Sequence, residues 1–136
     1  MKIGELFDVT GLVTIITGGA SGIGQAIAVA LAEAGADVAI TVHNRPGDET
    51  LSAIDAAGRK SAAFKVDLGH FDAASADSLI DDVEAKVGPV SVLVNNAGII
   101  RRADSVDFTE ADWDDVIDVN LKAVFYTCQA FGKAAL

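Results

Sequence analysis

The stretch Thr17-Gly18-Gly19-Ala20-Ser21-Gly22-Ile23-Gly24 decides the fold, because it joins a strand-like run to a helix-like run. The residues before it, 12–16, are Leu-Val-Thr-Ile-Ile, a largely β-branched apolar segment typical of a strand buried on both faces. Residues 23–34 are rich in Ala, Leu, Ile and Val, and Gly35 follows where a helix commonly ends. A glycine-rich turn between a strand and a helix lets the backbone approach a pyrophosphate, which free N–H groups and the positive helix end then stabilise. The turn therefore predicts a dinucleotide-binding site.

The glycines of this turn have distinct expected roles. Gly18, Gly22 and Gly24 would give the tight turn, the close approach to phosphate and the close packing of helix on strand. Their spacing differs from the G-x-G-x-x-G fingerprint, so a tight turn without a ligand remains an alternative for this segment alone. Ser21 could donate its hydroxyl to a phosphate oxygen or cap the helix, and the two roles are compatible.

The rest of the chain alternates strand-like and helix-like segments, which predicts a doubly wound α/β fold with a parallel sheet and helices on both faces. The predicted strands are 12–17, 37–42, 61–66 and 90–95, and the predicted helices are 22–34, 47–57, 72–87 and 110 to the end. In the expected strand order 3-2-1-4, the first and fourth strands are neighbours, and ligands bind beyond their carboxyl ends. The turn after the fourth strand should therefore lie beside the glycine turn.

Composition narrows the class of protein. The length of 136 residues predicts one domain over residues 1–136, and a hydrophobic content of 51% excludes a disordered chain. With 10 basic and 20 acidic residues, the net charge of −10 argues against binding to nucleic acid or to anionic membranes. The charged segment Met1 to Asp8 lacks a signal-like apolar core and no stretch could span a bilayer, so we expect a cytoplasmic protein.

Metal and disulfide chemistry are not expected. Cys128 is the only cysteine, which excludes a disulfide framework and a cysteine-based metal site. The two histidines, His43 and His70, are far apart in the sequence and have no neighbours that resemble metal ligands. We therefore predict no metal site.

A second motif extends the interpretation, because the apolar run 90–94 ends in Asn95-Asn96-Ala97-Gly98. Together with Thr17-Gly18-x-x-x-Gly22-Ile23-Gly24, this motif resembles the signature of the short-chain dehydrogenase/reductases. Asp67 and Asn120 also fall where that family places functional residues, and the resemblance reaches the last residue. It implies a Rossmann-like fold and an NAD(P)-dependent oxidoreductase with a small-molecule substrate.

The resemblance also implies roles for single residues. Asp67 would meet the adenine ring with Leu68 beside it, although a plain turn at the strand end is the alternative for Asp67. The nicotinamide ribose would lie over Asn95, Ala97 and Gly98, with Asn95 alternatively stabilising the sheet. Gly18, Ser21, Gly22, Ile23 and Gly24 complete the expected cofactor contacts of the two motifs.

Asn120 is the one catalytic residue that the resemblance places in this chain. Its apolar neighbours Val119, Leu121 and Val124 suggest a buried amide that needs partners. In the family, a local break in the helix holds a water there for proton relay. The alternative is a helical Asn that faces solvent.

The choice between NAD and NADP depends on the end of the second strand, residues 41–45, Thr-Val-His-Asn-Arg. An acid there would hold the ribose 2′-hydroxyl of NAD, and none is present. Arg45 or His43 could instead meet the 2′-phosphate of NADP, which favours NADP. Arg45 could equally be a solvated loop charge.

The substrate prediction depends on Arg101 and Arg102, which could bind a carboxylate bidentately. Residues 96–129 resemble the branch of the family that acts on deoxygluconate and keto-deoxygluconate acids. Alternatively, both arginines lie on a surface loop balanced by Asp104 and Asp107. A reductase of 3-oxoacyl chains on a carrier protein uses the same motifs and is a second enzyme interpretation.

Thr109 is expected to cap a helix.

The family's proton-transfer residues, a Tyr, a Lys four residues later and a Ser, lie downstream of the position of Asn120. The chain ends at Leu136, and its only tyrosine, Tyr126, is followed four residues later by Ala130. We therefore expect the N-terminal half of an enzyme, inactive alone, with the fourth strand as an uncovered apolar edge. A non-catalytic nucleotide-binding remnant is the alternative from another class. Full-length relatives are expected to be homo-oligomers by resemblance only.

Overall fold

The fold, described over residues 1–136 by a computed structural model, is built on one sheet of four parallel strands. The strands are β1 (Val13–Ile16), β2 (Asp37–Val42), β3 (Ser61–Lys65) and β4 (Val90–Val94), in the order β3-β2-β1-β4. All three pairings are parallel, with Ile16 opposite Ile40 on one side and Val94 on the other. The predicted strands and strand order are confirmed.

A short helix precedes β1, and helices follow each strand. They are α1 (Ile3–Leu6), α2 (Gly22–Glu33), α3 (Asp48–Ala56), α4 (Ala73–Lys86), α5 (Glu110–Ile117) and α6 (Ala123–Ala135). Two 3₁₀ turns cover Leu68–His70 and Ser105–Asp107, and a π-helical turn, Asp118–Lys122, joins α5 to α6. None of the helices has the length and apolar character needed to cross a membrane.

The helix boundaries have local causes. The chain after α2 turns through Gly35, whose φ of 103° lies in the left-handed region that other residues avoid. The predicted cap at Thr109 is confirmed, because its side chain accepts a hydrogen bond from the Asp112 backbone N–H at 3.1 Å. Asp72 caps α4 in the same way through the Ser75 N–H.

The sheet separates two apolar layers. Ile15 packs in a cluster of 13 buried residues with side chains of α4 and α6, and Ile16 packs in a cluster of 6 with side chains of α2 and α3. Neighbouring residues of β1 reach opposite layers because side chains alternate along a strand. The helices on both faces leave the carboxyl ends of the strands open.

β4 forms one edge of the sheet. β4 pairs only with β1, as expected for an edge strand, and residues 92–94 are half-buried. Trp113 of α5, Leu121 of the π-helical turn and Phe125 of α6 are each about 60% exposed. These three side chains present apolar surface on α5, the π-helical turn and α6.

Candidate functional site

A cleft of about 640 Å³ lies at the carboxyl ends of the strands, which is the size of a small-molecule site. Its walls come from the glycine turn after β1, the end of β2, the loop after β3, the loop after β4, and α5. The lining residues include Gly18, Ser21, His43, Asn44, Asp67, Leu68, His70, Ala97, Gly98, Arg101 and Asp115. The strand order thus collects segments that are distant in the sequence.

The glycine turn and the loop after β4 are joined by hydrogen bonds. The hydroxyl oxygen of Thr17 accepts from the backbone N–H of Asn96 at 3.1 Å and of Ala97 at 3.0 Å. In return, the Asn96 amide donates to the carbonyl oxygens of Thr17 at 3.0 Å and Gly18 at 3.1 Å. A Cβ on Gly18 would lie 3.2 Å from Ala97 Cα. The two loops therefore meet directly, as the strand order predicts.

Uncharged side chains also fix the far side of the glycine turn. The Thr41 hydroxyl oxygen accepts from the N–H of Gly18 at 3.1 Å. The buried Thr50 hydroxyl donates to the carbonyl oxygen of Gly19 at 2.9 Å and accepts from the Gln25 amide at 3.0 Å. Sequence reasoning missed these threonines and Asn96. The sequence carried a signal for Asn96, its place within the motif Asn95 to Gly98, whereas the burial of the two threonines is visible only in the structure.

The glycine turn needs its glycines for different reasons. Gly22 has a φ of 57°, in the left-handed region. A Cβ on buried Gly24 would overlap the carbonyl oxygen of Gly18, so α2 can pack this closely on the turn only without a side chain there. Ser21 occupies the N-cap position of α2, but its side chain makes no capping bond. Its hydroxyl lies at the cleft instead.

Asp67 lies between two histidines at one end of the cleft. Its Oδ1 accepts from the Gly69 N–H, and its Oδ2 lies 2.9 Å from His70 Nδ1. His43 Nε2 lies 3.9 Å from Asp67 Oδ1. His43 and His70 are far apart in the sequence, but the loops after β2 and β3 bring both to the Asp67 carboxylate, so the expectation that they have no ligand-like neighbours is wrong. The three side chains nonetheless do not form a metal-ligand group, and the chain has none elsewhere.

The hydrogen bond from His70 lowers the pKa of Asp67 below its ordinary value; desolvation opposes this effect, and the Gly69 N–H acts in the same direction as His70. The bond to Gly69 also makes Asp67 the turn former that the simpler interpretation predicts. This turn geometry still leaves the carboxylate on the cleft wall.

Asn120 lies in the π-helical turn, so the helix break expected around it is present. Its Oδ1 accepts from the Ile99 N–H at 2.9 Å, and its Nδ2 donates to the Ile99 carbonyl at 2.8 Å. A Cβ on Gly98 would lie 3.3 Å from the same Oδ1. The expected burial of Asn120 is wrong: the residue is exposed, because it reaches sideways to a surface loop beside the exposed Leu121.

Arg101 and Arg102 differ in environment. Arg101 lies 3.7 Å from Asp112 and 3.6 Å from Asp115, both on α5. The alternative prediction that Asp104 and Asp107 balance Arg101 is wrong. Asp112 and Asp115, three residues apart on one face of α5, lie next to it instead. Arg102 is exposed and makes no ion pair.

Several predicted site residues do not line the cleft. Gly22, Ile23 and Gly24 are not among its lining residues, and Ile23 is largely exposed. Arg45 is exposed away from the wall, although His43 and Asn44 line it. Asn95 donates its amide to Cys128 Sγ on α6 at 3.2 Å, a contact that fits its alternative role in stabilising the structure.

Comparisons with known proteins agree with this architecture. A model of the short chain dehydrogenase family matches residues 12–135. The 2-dehydro-3-deoxy-D-gluconate 5-dehydrogenase of Escherichia coli (strain K12) is 40% identical over 127 residues, which are 93% of this chain and 49% of that protein. D-threitol dehydrogenase of Mycolicibacterium smegmatis is 41% identical over 132 residues, 96% of this chain and 50% of that protein.

A solved structure from Agrobacterium tumefaciens, provisionally named a 2-deoxy-D-gluconate 3-dehydrogenase and containing bound NADP, is 48% identical with a TM-score of 0.81. The similarity covers 94% of this chain and 49% of that one. The chain thus spans about half the length of the relatives it matches. The family model matches nearly the whole chain, and the parallel sheet and the paired loops agree with it. This chain therefore belongs to the short-chain dehydrogenase family.

Proposed function

We propose that this chain is the nucleotide-binding half of an NAD(P)-dependent oxidoreductase. The observation that supports this most directly is the junction of the glycine turn with the loop after β4, through Thr17 and Asn96. This junction forms a cleft at the topological switch point of the sheet, where doubly wound folds bind dinucleotides. A turn without a ligand would need no such junction between distant loops.

The proposed contacts follow the cleft from end to end. The pyrophosphate lies over the turn 18–24, close to the Ser21 hydroxyl and the positive end of α2. Asp67 and Leu68 contact the adenine ring, and Ala97 and Gly98 lie under the nicotinamide ribose. Because the chain has a net charge of −10, binding depends on these local donors rather than on long-range attraction.

NADP is the proposed cofactor. Residues 41–45 at the end of β2 contain no acid that could hold a 2′-hydroxyl. The Agrobacterium tumefaciens relative contains NADP in its structure. The nicotinamide supplies or accepts a hydride, and this chain's part is to orient the ring and exclude water from one side of it.

The proposed substrate is a sugar acid of the deoxygluconate or keto-deoxygluconate class. Two similar proteins carry names of this class, while a third of similar identity is named for the neutral polyol D-threitol. Arg101 lines the cleft but is already paired with Asp112 and Asp115, so the cation proposed for a substrate carboxylate is the neighbouring Arg102, which is exposed, makes no ion pair and lies outside the cleft lining. Arg101 instead holds the loop after β4 against α5.

Proton transfer to or from the substrate requires a general acid or base at the reacting oxygen. Tyr126, the only tyrosine, packs against the core cluster under α4 and α6 and does not line the cleft. Asn120 holds the Ile99 backbone and thereby shapes the loop below the nicotinamide. We therefore propose that these 136 residues bind the cofactor and do not turn over substrate by themselves.

The test is a calorimetric titration of the 136-residue chain with NADP and with NAD. Ala97→Phe fills the space under the nicotinamide ribose and should abolish binding. Ala34→Phe places the same side chain at an exposed position at the opposite end of α2 and should bind like the unmodified chain. No affinity for either nucleotide would leave a scaffold without a cofactor site and contradict the proposal.

The substrate class is tested separately on the NADP-loaded chain. Arg102→Gln should weaken binding of keto-deoxygluconate more than it weakens binding of D-threitol, because only the first has a carboxylate. Equal effects on both ligands would exclude Arg102 as the carboxylate partner.

A further inference from the structure

The peptide units of the glycine turn differ in how their polar groups are paired. The N–H of Gly18 donates to the Thr41 hydroxyl at 3.1 Å, and that of Gly19 donates to the Thr41 carbonyl oxygen at 3.2 Å. The carbonyl oxygens of Thr17 and Gly18 both accept from the Asn96 amide. The first two peptide units after Thr17 therefore have both polar groups paired within the protein, and neither N–H is available to a ligand.

The third unit, between Gly19 and Ala20, is paired on one side only. The Gly19 carbonyl accepts a hydrogen bond at 2.9 Å from the hydroxyl of Thr50, which lies on α3 and is fully buried. The Ala20 N–H has no hydrogen-bond partner within the protein. Because all peptide bonds are trans, the carbonyl and N–H of this unit point in opposite directions, and the N–H faces away from Thr50. Gly18 and Ser21, which flank the unit, line the cleft, and Thr50 does not.

The Thr50 hydroxyl sets the orientation of this third unit. Gly19 has no Cβ, so the peptide unit after it can rotate at little steric cost unless a partner holds it. The hydroxyl of Thr50 has one hydrogen, which it donates to the Gly19 carbonyl, and it accepts from the Gln25 amide at 3.0 Å. Since Gln25 lies on α2 and Thr50 on α3, two helices fix this hydroxyl from outside the cleft.

Resting on the nucleotide site proposed above, we propose that Thr50 is a positioning residue for the cofactor diphosphate. It holds the carbonyl of Gly19 on the buried side and so leaves the Ala20 N–H free to donate to a phosphate oxygen. Gln25 supports this role by fixing the direction of the Thr50 hydroxyl. A hydrogen bond to a charged oxygen is stronger than one between neutral groups, so a correctly aimed N–H contributes to recognition of the diphosphate. The adenosine part of the cofactor gains nothing directly from Thr50.

The first measurement follows the backbone amide of Ala20 by heteronuclear NMR while ADP or adenosine is added to the 136-residue chain. ADP supplies the diphosphate and should shift the Ala20 amide proton downfield, because the N–H then donates to a phosphate oxygen. Adenosine has no phosphate and should leave this signal unchanged while it shifts that of Leu68. In Thr50→Val, ADP should no longer cause the downfield shift.

Affinities of matched variants separate positioning from packing. Thr50→Val keeps the shape of the side chain and should weaken binding of ADP and NADP about tenfold, the loss of one hydrogen bond to a charged group, with adenosine unaffected. Thr50→Ser restores the hydroxyl and should bind ADP like the unmodified chain. Thr127→Val is the control, because Thr127 is also buried and donates its hydroxyl to a backbone carbonyl, that of Ala123, at 2.7 Å. It should leave the affinity for ADP unchanged. Gln25→Met should weaken binding of ADP in the same direction as Thr50→Val, by a smaller factor.

An Ala20 amide that does not respond to ADP, while Leu68 does, would overturn the role of Thr50 and leave the nucleotide site intact, and this result needs only the unmodified chain. Equal losses of ADP affinity in Thr50→Val and Thr127→Val, or equal losses for ADP and adenosine in Thr50→Val, would overturn it as well. No response of any cleft amide to ADP or NADP would overturn the nucleotide site itself, and the role of Thr50 with it.

Discussion

Two buried threonines near the end of β1 offer a matched test of the junction between the cofactor loops. Thr17 is 3% exposed, and its hydroxyl oxygen accepts from the backbone N–H groups of Asn96 and Ala97. Thr14 is fully buried on the same strand, and its hydroxyl oxygen has no hydrogen-bond partner. Replacement of each by Val keeps the shape and removes one hydroxyl. The difference between the two variants therefore measures the hydrogen bonds and not the packing.

The expected changes in the free energy of unfolding differ in size and sign between the two variants. Thr17→Val leaves two backbone N–H groups without an acceptor, at about 1–3 kcal/mol each when buried. Because these groups are only partly buried, we expect a total loss of about 2–4 kcal/mol in the free energy of unfolding. Thr14→Val removes an unpaired buried hydroxyl, so stability should stay within about 0.5 kcal/mol or rise.

The assay is urea unfolding followed by far-ultraviolet circular dichroism, with the affinity for NADP measured on the same samples. Thr17→Val should unfold at lower urea and bind NADP more weakly, because the loop after β4 is no longer held to the glycine turn. Thr14→Val should match the unmodified chain in both measurements. Equal losses of stability in the two variants would refute the argument that the Thr17 hydroxyl joins the loops.

Three further substitutions test local features of the fold and the site. Gly24→Ala should cost about 1–3 kcal/mol of stability and weaken nucleotide binding, because its Cβ overlaps the Gly18 carbonyl; thermal unfolding that matches the unmodified chain would contradict this. Gly132→Ala, in the last turn of α6 with open space around it, should stabilise the chain by about 0.5–1 kcal/mol in the same measurement. Asp72→Ala should lower the melting temperature at neutral pH by removing the α4 cap. Hydrogen bonds from Ser75 hold the pKa of Asp72 below its ordinary value, so its stabilisation is complete above the unfolded pKa of about 3.9 and is lost as the pH falls through the folded pKa. The melting temperatures of the unmodified chain and Asp72→Ala should converge in acid, and a constant gap would show that the carboxylate charge is irrelevant.

Local patterns in the sequence predict most of the architecture because each has few alternatives. The apolar runs before residues 17 and 95 can be buried only as strands of a covered sheet, and the helix-like segments between them require parallel crossovers. Strand order then places the two turns together without any knowledge of side-chain contacts. The observed junction at Thr17 and Asn96 lies where this reasoning puts it.

Side-chain partners in the loops could not be predicted in the same way. Nearness in sequence suggested Asp104 and Asp107 as partners of Arg101, but Asp107 lies in a separate 3₁₀ turn. The true partners, Asp112 and Asp115, are on α5, where a spacing of three residues gives them a common face. The helical period of α5 was visible in the sequence. Its orientation relative to the loop after β4 was not, because it depends on the π-helical turn and on tertiary packing.

The site illustrates how an acidic chain can offer a place for an anion. The glycine turn is held by the hydroxyl of Thr41 and the hydroxyl of Thr50, and it is tied to the next loop by Thr17 and Asn96, all of them uncharged. Neutral groups fix the backbone N–H geometry without adding charge, so pyrophosphate recognition can survive a net charge of −10. At the expected adenosine position the wall carries the Asp67 carboxylate with His43 and His70 beside it. Affinity for the part that NAD and NADP share should thus follow from backbone geometry rather than from the net charge of the chain.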